Sequence, residues 1–511
     1  VIKKQVYDRR IFLKALGGLG ALSLTEHPLH HLFLYSNQNK MDRVSWKANR
    51  GTQFEGPWIP SLIEGNIPAQ LNGKLFRIGP GSKKTQKTDL GHYFDGDALV
   101  TSITFNNSQA AGNSKFIQTD ERKAEIAAGQ MLYHDYGTSS PHRSKGFKNA
   151  PNIHFLKLGD EFLALSEASH PYAVDPENLE TKGIYNFGSQ LDKNMSFTAH
   201  PKVDPLTGDI YAYGITRSIS PKLKIIKIDS QNGKLSELYS VSLGGFFPIH
   251  DMLLTENHIV FMVSPLKVNL AGAALGTKPI SELLEYKKTD PIRILIFKKQ
   301  GSGSLVEIKS QPSGLIFHNC NAYEDPSTNR LILDSIVADD HSAFELFKAW
   351  SKERMPKGPK SWITRFEIDL TANKLIQREK ISDGFPTDFP CMDSRMLGQN
   401  TRYYYALEGH RAGDPLAFDH LVAWDLRTKR ATRVQCDSHQ LFGEPVFVPF
   451  PNSVAGEDHK AWILHLGYDS LKDQTFLDIR TSIDLELQAR VWFGQFVPIG
   501  FHGSFETAPA E

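Results

Sequence analysis

Short strand-like runs recur roughly every ten to fifteen residues from Trp46 to the C-terminus, and that density limits the folds open to this chain more than any other feature. KLFRIGPG, ALVTSITF, DIYAYGITR, HIVFMVSP, RLILDSIVA, WITRFEIDL, HLVAWDLRT and AWILHLGYD are rich in β-branched and aromatic residues. Turn formers separate such runs, as in DPLTGD, SQNGK, EDPSTN and LTANK. Apolar and polar residues alternate over 99–105 and 362–370, the pattern of a strand with one buried face. Helical periodicity is confined to 121–133, 280–287 and 342–355. So many regularly spaced strands must dispose of their sheet edges, which points to an all-β structure that is closed or radially repeated, a propeller before a sandwich. No WD or kelch repeat is legible. With no Pro/Ser-rich linker in the body, residues 45–511 read as one domain.

Residues 1–40 read as an address. Lys3, Lys4, Arg9 and Arg10 precede an apolar stretch over 11–24 that is too short for a bilayer core, which takes ~20 residues of helix. A basic head on a short apolar segment is the layout of a signal peptide, and RRIFLK matches a twin-arginine export motif. The expectation is a signal segment and flank over 1–40 and a periplasmic protein in a bacterium. Membrane association is left open, because no A-x-A cleavage site follows; a cytoplasmic location is the alternative. The 58 basic and 57 acidic side chains balance, so no global field draws nucleic acid. Three cysteines, none in a CxxC pair, exclude a disulfide framework.

Among nineteen histidines, four stand apart by setting: His200 in SFTAHPKVDP, His250 in FFPIHDMLLT, His318 in GLIFHNCNAYED and His502 in PIGFHGSF. Each follows an apolar or small run and precedes a polar or turn-forming residue, as at a strand end that faces a central cavity. Their separations are far too long for a finger-type site, so they meet only if the fold brings remote strands to one axis. Neutral imidazoles suit iron, copper, nickel or zinc, and composition does not choose among them.

The chain resembles the carotenoid cleavage oxygenase family from about residue 56 to the C-terminus. The resemblance is carried by IPAQLNGKLFRIGPG (67–81), HYFDGDALV (92–100), the four histidine segments, GEPVFVPFP (443–451) and GFHGSF (500–505). It implies a seven-bladed β-propeller with a cap of helices and loops over an axial metal. It also implies one Fe(II) per chain held by His200, His250, His318 and His502. Glutamates orient three such histidines in the family: Glu167 matches the one behind His250, and Glu444 the one behind His502. At the third position this chain departs, with Thr387-Asp388-Phe389-Pro390 where the family has Glu-Phe-Pro. Asp388 is one methylene shorter, so reaching His318 takes a main-chain shift of about 1 Å or a bridging water. Ala150-Pro151-Asn152 replaces the family's Asn-Thr-Asn near the open face of the iron. Cys320 is expected to pack and not to ligate.

The activity implied is cleavage of one conjugated C=C bond of a carotenoid or apocarotenoid by O2 into two carbonyl products, with no catalytic residue beyond the metal centre. No GxGxxG or Walker run offers a second cofactor. An apolar polyene needs an aromatic-lined tunnel, and the apolar stretch 261–284 supplies either a membrane-contacting patch on the cap or a buried cap helix. Stilbene-cleaving relatives carry a phenol-binding lysine after a threonine in the segment matching 117–122. Here Thr119 is followed by Asp120 and Glu121, which favours carotenoids. The rival readings are a stilbene-cleaving dioxygenase and a non-catalytic propeller that binds an apolar ligand.

Overall fold

In the computed structural model, which describes residues 42–508 apart from 143, 168 and 412, the polar turns close antiparallel hairpins. The Asp229 carboxylate accepts the main-chain N–H groups of Gln231 and Asn232, and Gly233 supplies the left-handed residue at φ 67°. Asp369 does the same for Thr371 and Ala372, with Asn373 at φ 50°. The leader expected over 1–40 lies outside the described residues.

The hairpins build seven antiparallel sheets of four or five strands and two small ribbons, and the seven sheets are the blades of a propeller. Each blade sets one strand innermost: β1 (His154–Leu158), β2 (Lys202–Val203), β3 (Leu253–Leu254), β4 (Leu315–Asp325), β5 (Thr387–Cys391), β6 (Gln440–Pro449) and β7 (His502–Thr507). Neighbouring inner strands touch from β3 through β4, β5, β6 and β7 to β1. The ring is closed by interleaving the ends of the chain. β7 completes the blade that begins with Gly56–Trp58, lying against Gly73–Pro80 and pairing His502 with Ile78. The early strand Leu62–Gly65 forms the outer edge of the β6 blade against Leu487–Trp492. Blades pack face to face through interdigitating side chains, such as Tyr211, Tyr213 and Ile225 against Phe261, Leu295 and Phe297.

Among the described residues helices are few and short: α1 (Val44–Ala48), α2 (Asp120–Ala128), α3 (Leu270–Leu275) and α4 (Ser342–Ala349). Two expected helices are trimmed. α2 stops where Gly129 turns left-handed at φ 66°, and α4 stops where the polar run after Trp350 gives it no apolar face to bury. The third expectation fails: residues 280–287 hold one 3-10 turn, Ile280–Glu282, and the strand Leu284–Tyr286, which pairs with Leu266–Val268. The stretch 261–284 is likewise neither one patch nor one buried helix. Phe261 lies in the buried middle of a blade, whereas α3 buries no residue and leaves Leu275 75% exposed. No helix among the described residues is long and apolar enough to cross a membrane.

Candidate metal centre

The four histidines come from four inner strands or the residues just before them, which is why their spacing in the chain carries no local pattern. His200 and His250 precede β2 and β3, His318 lies within β4, and His502 opens β7. Regular pairing would point a side chain up or down the blade, and breaks in register re-aim it. β4 breaks register between Ile316 and Asn319, around His318; β6 breaks between Phe442 and Pro445, around Glu444; β5 breaks after Asp388.

On the axis the Nε2 atoms converge. His200 and His250 are 3.0 Å apart, His250 and His318 3.1 Å, and His318 and His502 3.3 Å. All four lie within 4.8 Å of one another. The opposite ring nitrogens carry the protons. Nδ1–H of His318 donates to Asp388 at 2.6 Å, that of His502 to Glu444 at 2.6 Å, and that of His250 to Glu167. This fixes the tautomer and leaves bare lone pairs facing each other, an arrangement that is repulsive without a shared cation. Metal–nitrogen bonds of ~2.1 Å at right angles would set neighbouring nitrogens about 3 Å apart, so the residues fit a first-row metal with open positions.

The surroundings favour the neutral form of two of the rings. Burial, then the neighbouring imidazoles, hold His200 and His502 well below the ordinary histidine range. Burial also pulls His318 down, but Asp388 more than offsets this and leaves it raised, while His318 in turn holds Asp388 low. Glu444 is raised by burial despite Arg77, whose guanidinium donates to it at 2.7 Å.

An apolar cavity of about 290 Å³ opens over this cluster. Tyr93, Phe94, Tyr136, Phe317, Phe347 and Phe501 line it, and His250, His318, His502, Glu167 and Asp388 reach its wall. Phe94 packs on Phe347 at 4.6 Å and on Phe501 at 5.7 Å between ring centroids. Ala150 and Asn152 line the cavity on either side of Pro151, and Asn152 donates to the carbonyls of Phe94 and Gly96. Cys320 packs among Ile336, Ile363 and Tyr404, outside the cluster. Thr119 caps α2, and neither it nor Asp120 or Glu121 lines the cavity, so the residues after Thr119 say nothing about the substrate.

Sequence reasoning missed two residues here. Arg77 reads as an interruption of KLFRIGPG, although a charge inside an apolar run is a signal that it is paired in the core. His154 carries no mark in APNIHF, yet burial, then the neighbouring His502 imidazole, push it down to about 3 beside the cluster.

Comparison with known proteins agrees with this geometry. The profile of the retinal pigment epithelial membrane protein family matches residues 48–507. The apocarotenoid-15,15'-oxygenase of Synechocystis sp. is 29% identical over 471 residues, covering 88% of this chain and 93% of that protein. Resveratrol cleavage oxygenase 1 of Aspergillus fumigatus is 25% identical, covering 89% and 95%. The solved cobalt-substituted apocarotenoid oxygenase of Synechocystis superimposes with a TM-score of 0.84 at 26% identity, covering 93% of this chain and 99% of that one.

Proposed function

The chain belongs to the retinal pigment epithelial membrane protein family of carotenoid cleavage oxygenases, and from that membership we propose that it is a non-haem Fe(II) dioxygenase. It splits one conjugated C=C bond of an apocarotenoid or carotenoid with O2 into two carbonyl products. The observation that carries the reading is the set of bare imidazole nitrogens in the wall of an aromatic cavity. Iron held by His200, His250, His318 and His502 would supply the electrons that ground-state O2 needs to react with an alkene.

The chain's own residues do the rest. Glu167, Asp388 and Glu444 keep the Nδ1 protons in place and the rings turned inward. The aromatic walls exclude water and hold a rod-like polyene along the cavity, and its depth of entry sets which double bond lies at the cluster. Alkene plus O2 equals two carbonyls without gain or loss of a proton, so no general acid or base is needed. The exposed helix α3, with Leu275, supports contact with a bilayer from which an apolar substrate enters. Arg9 and Arg10 support export by the twin-arginine route to the periplasm, which cell fractionation tests.

The decisive experiment incubates iron-loaded protein under 18O2 with a panel of carotenoids, apocarotenals and hydroxystilbenes. One labelled oxygen is expected in each carbonyl fragment of a polyene substrate, with activity lost on chelation and restored by Fe(II). Cleavage of hydroxystilbenes alone, unlabelled products, or indifference to iron removal would overturn the proposal.

A further inference from the structure

Three of the four histidines are oriented from behind by a carboxylate, and His200 is not. Its main-chain N–H donates to Thr198 Oγ1 at 3.0 Å, which holds the backbone and not the ring. Among the described residues no side chain hydrogen-bonds its Nδ1. The ring that lies against it belongs to His154, the first residue of β1. The two rings are nearly parallel, with centroids 5.5 Å apart and planes at 19°. The same His154 ring meets His502 edge-on, at 5.3 Å and 80°. Nδ1–H of His154 donates to the carbonyl of Ala199 at 3.2 Å, so one side chain grips both the ring of His200 and the peptide before it. The short Nε2 contacts run from His200 through His250 and His318 to His502, and the rings of His200 and His502 meet edge-on at 4.6 Å between centroids. His154 packs against both of these rings.

We propose that His154 is a positioning residue of the metal site: it packs against His200 and His502 together and orients the one imidazole lacking a carboxylate. Rings in these offset and edge-on arrangements attract, and the hydrogen bond to Ala199 prevents the His154 ring from turning. Where a glutamate orients its partner through a proton on Nδ1, His154 does so through a ring face and a main-chain anchor. The inference rests on the metal reading alone and not on the substrate.

The test uses the full chain with His154→Val, which removes ring and donor, and His154→Phe, which keeps a ring and removes the donor. Three quantities are read: the rate at which Co(II)- and Fe(II)-loaded protein loses metal to a chelator, the d–d absorption of the Co(II) form, and the melting temperature of the metal-free protein. His154→Val should lose metal ~10–100-fold faster and shift the cobalt spectrum. His154→Phe should recover part of both while the metal-free protein melts as the parent does. A His154→Val protein with the parent's loss rate and cobalt spectrum overturns the proposal. So does a crystal structure of that metal-free variant in which the His200 ring keeps its orientation. None of these readouts uses substrate, so failure here leaves the cleavage reading standing, and a failed cleavage assay leaves the positioning role of His154 standing.

Discussion

The His502 and His318 arms of the cluster do the same task with different acids. Glu444 is fully engaged: one oxygen takes the His502 proton at 2.6 Å, and the other takes Arg77 at 2.7 Å and the Gly503 N–H at 2.9 Å. Asp388 uses one oxygen for both His318 at 2.6 Å and the Phe389 N–H at 2.8 Å, and among the described residues no Lys or Arg pairs with it. Its side chain is 27% exposed, against 11% for Glu444. The missing methylene is made up by the main chain, without a bridging water. β5 breaks register after Asp388, and Phe389 sits at φ 56°, a left-handed conformation that a bulky residue seldom adopts. Such a conformation costs about 1–3 kcal/mol and persists only where the surroundings enforce it. On these two arms a carboxylate must reach a given place, and either side-chain length or backbone can deliver it.

The largest effect that separates the arms is expected from Glu444→Ala. It strands Arg77, a guanidinium only 2% exposed, and breaking a buried pair costs about 3–5 kcal/mol. Denaturant unfolding of the metal-free protein measures it, and a loss below ~1 kcal/mol would erase the distinction between the arms.

Asp388→Asn should be milder for the fold, since no buried cation is orphaned, but should weaken metal binding ~10-fold. Competitive titration with a chromophoric chelator checks this. Parent-like affinity would mean that the His318 ring is held by packing alone.

The smallest effect is one of sign. Asp388 has a folded pKa below its unfolded ~3.9, so its contribution is present above that value and lost as pH falls through the lower folded one. His318 is raised, so its contribution is full below ~6.5 and lost as pH rises through the folded value. Glu444 is raised, so its term is full below ~4.3 and fades as pH rises. In metal-free protein Asp388→Asn should therefore flatten the acid loss of stability below pH ~4, whereas Glu444→Gln should steepen the rise above it. Chemical denaturation across that range measures both slopes, and equal slopes in the two variants would contradict the opposite signs.

Much of this architecture was legible because it is local. The Asp, Asn and Gly residues of SQNGK and LTANK close turns through bonds that span two or three residues. Errors arose where an apolar run has no period to decide its partner. Residues 280–287 suit a helix by composition, but Leu284–Tyr286 had a strand edge, Leu266–Val268, to pair with. The four histidines stood apart by their strand-end setting, but only the resemblance made them ligands, because a core histidine at a strand end can carry the same local sequence. Glu444 came the same way. The roles of Arg77 and His154 stayed hidden, since their partners lie on other blades.

By itself, then, the sequence determined the strands, the turns and hence the all-β class, since alternation and turn chemistry act between residues a few positions apart. Only the tertiary structure decided that Asp388 reaches His318 directly, that Arg77 backs Glu444, and that His154 packs against both His200 and His502. Those contacts depend on how seven blades close around one axis. Closure is a property of the whole ring of sheets: a register break or a left-handed residue on one inner strand sets distances to side chains hundreds of residues away.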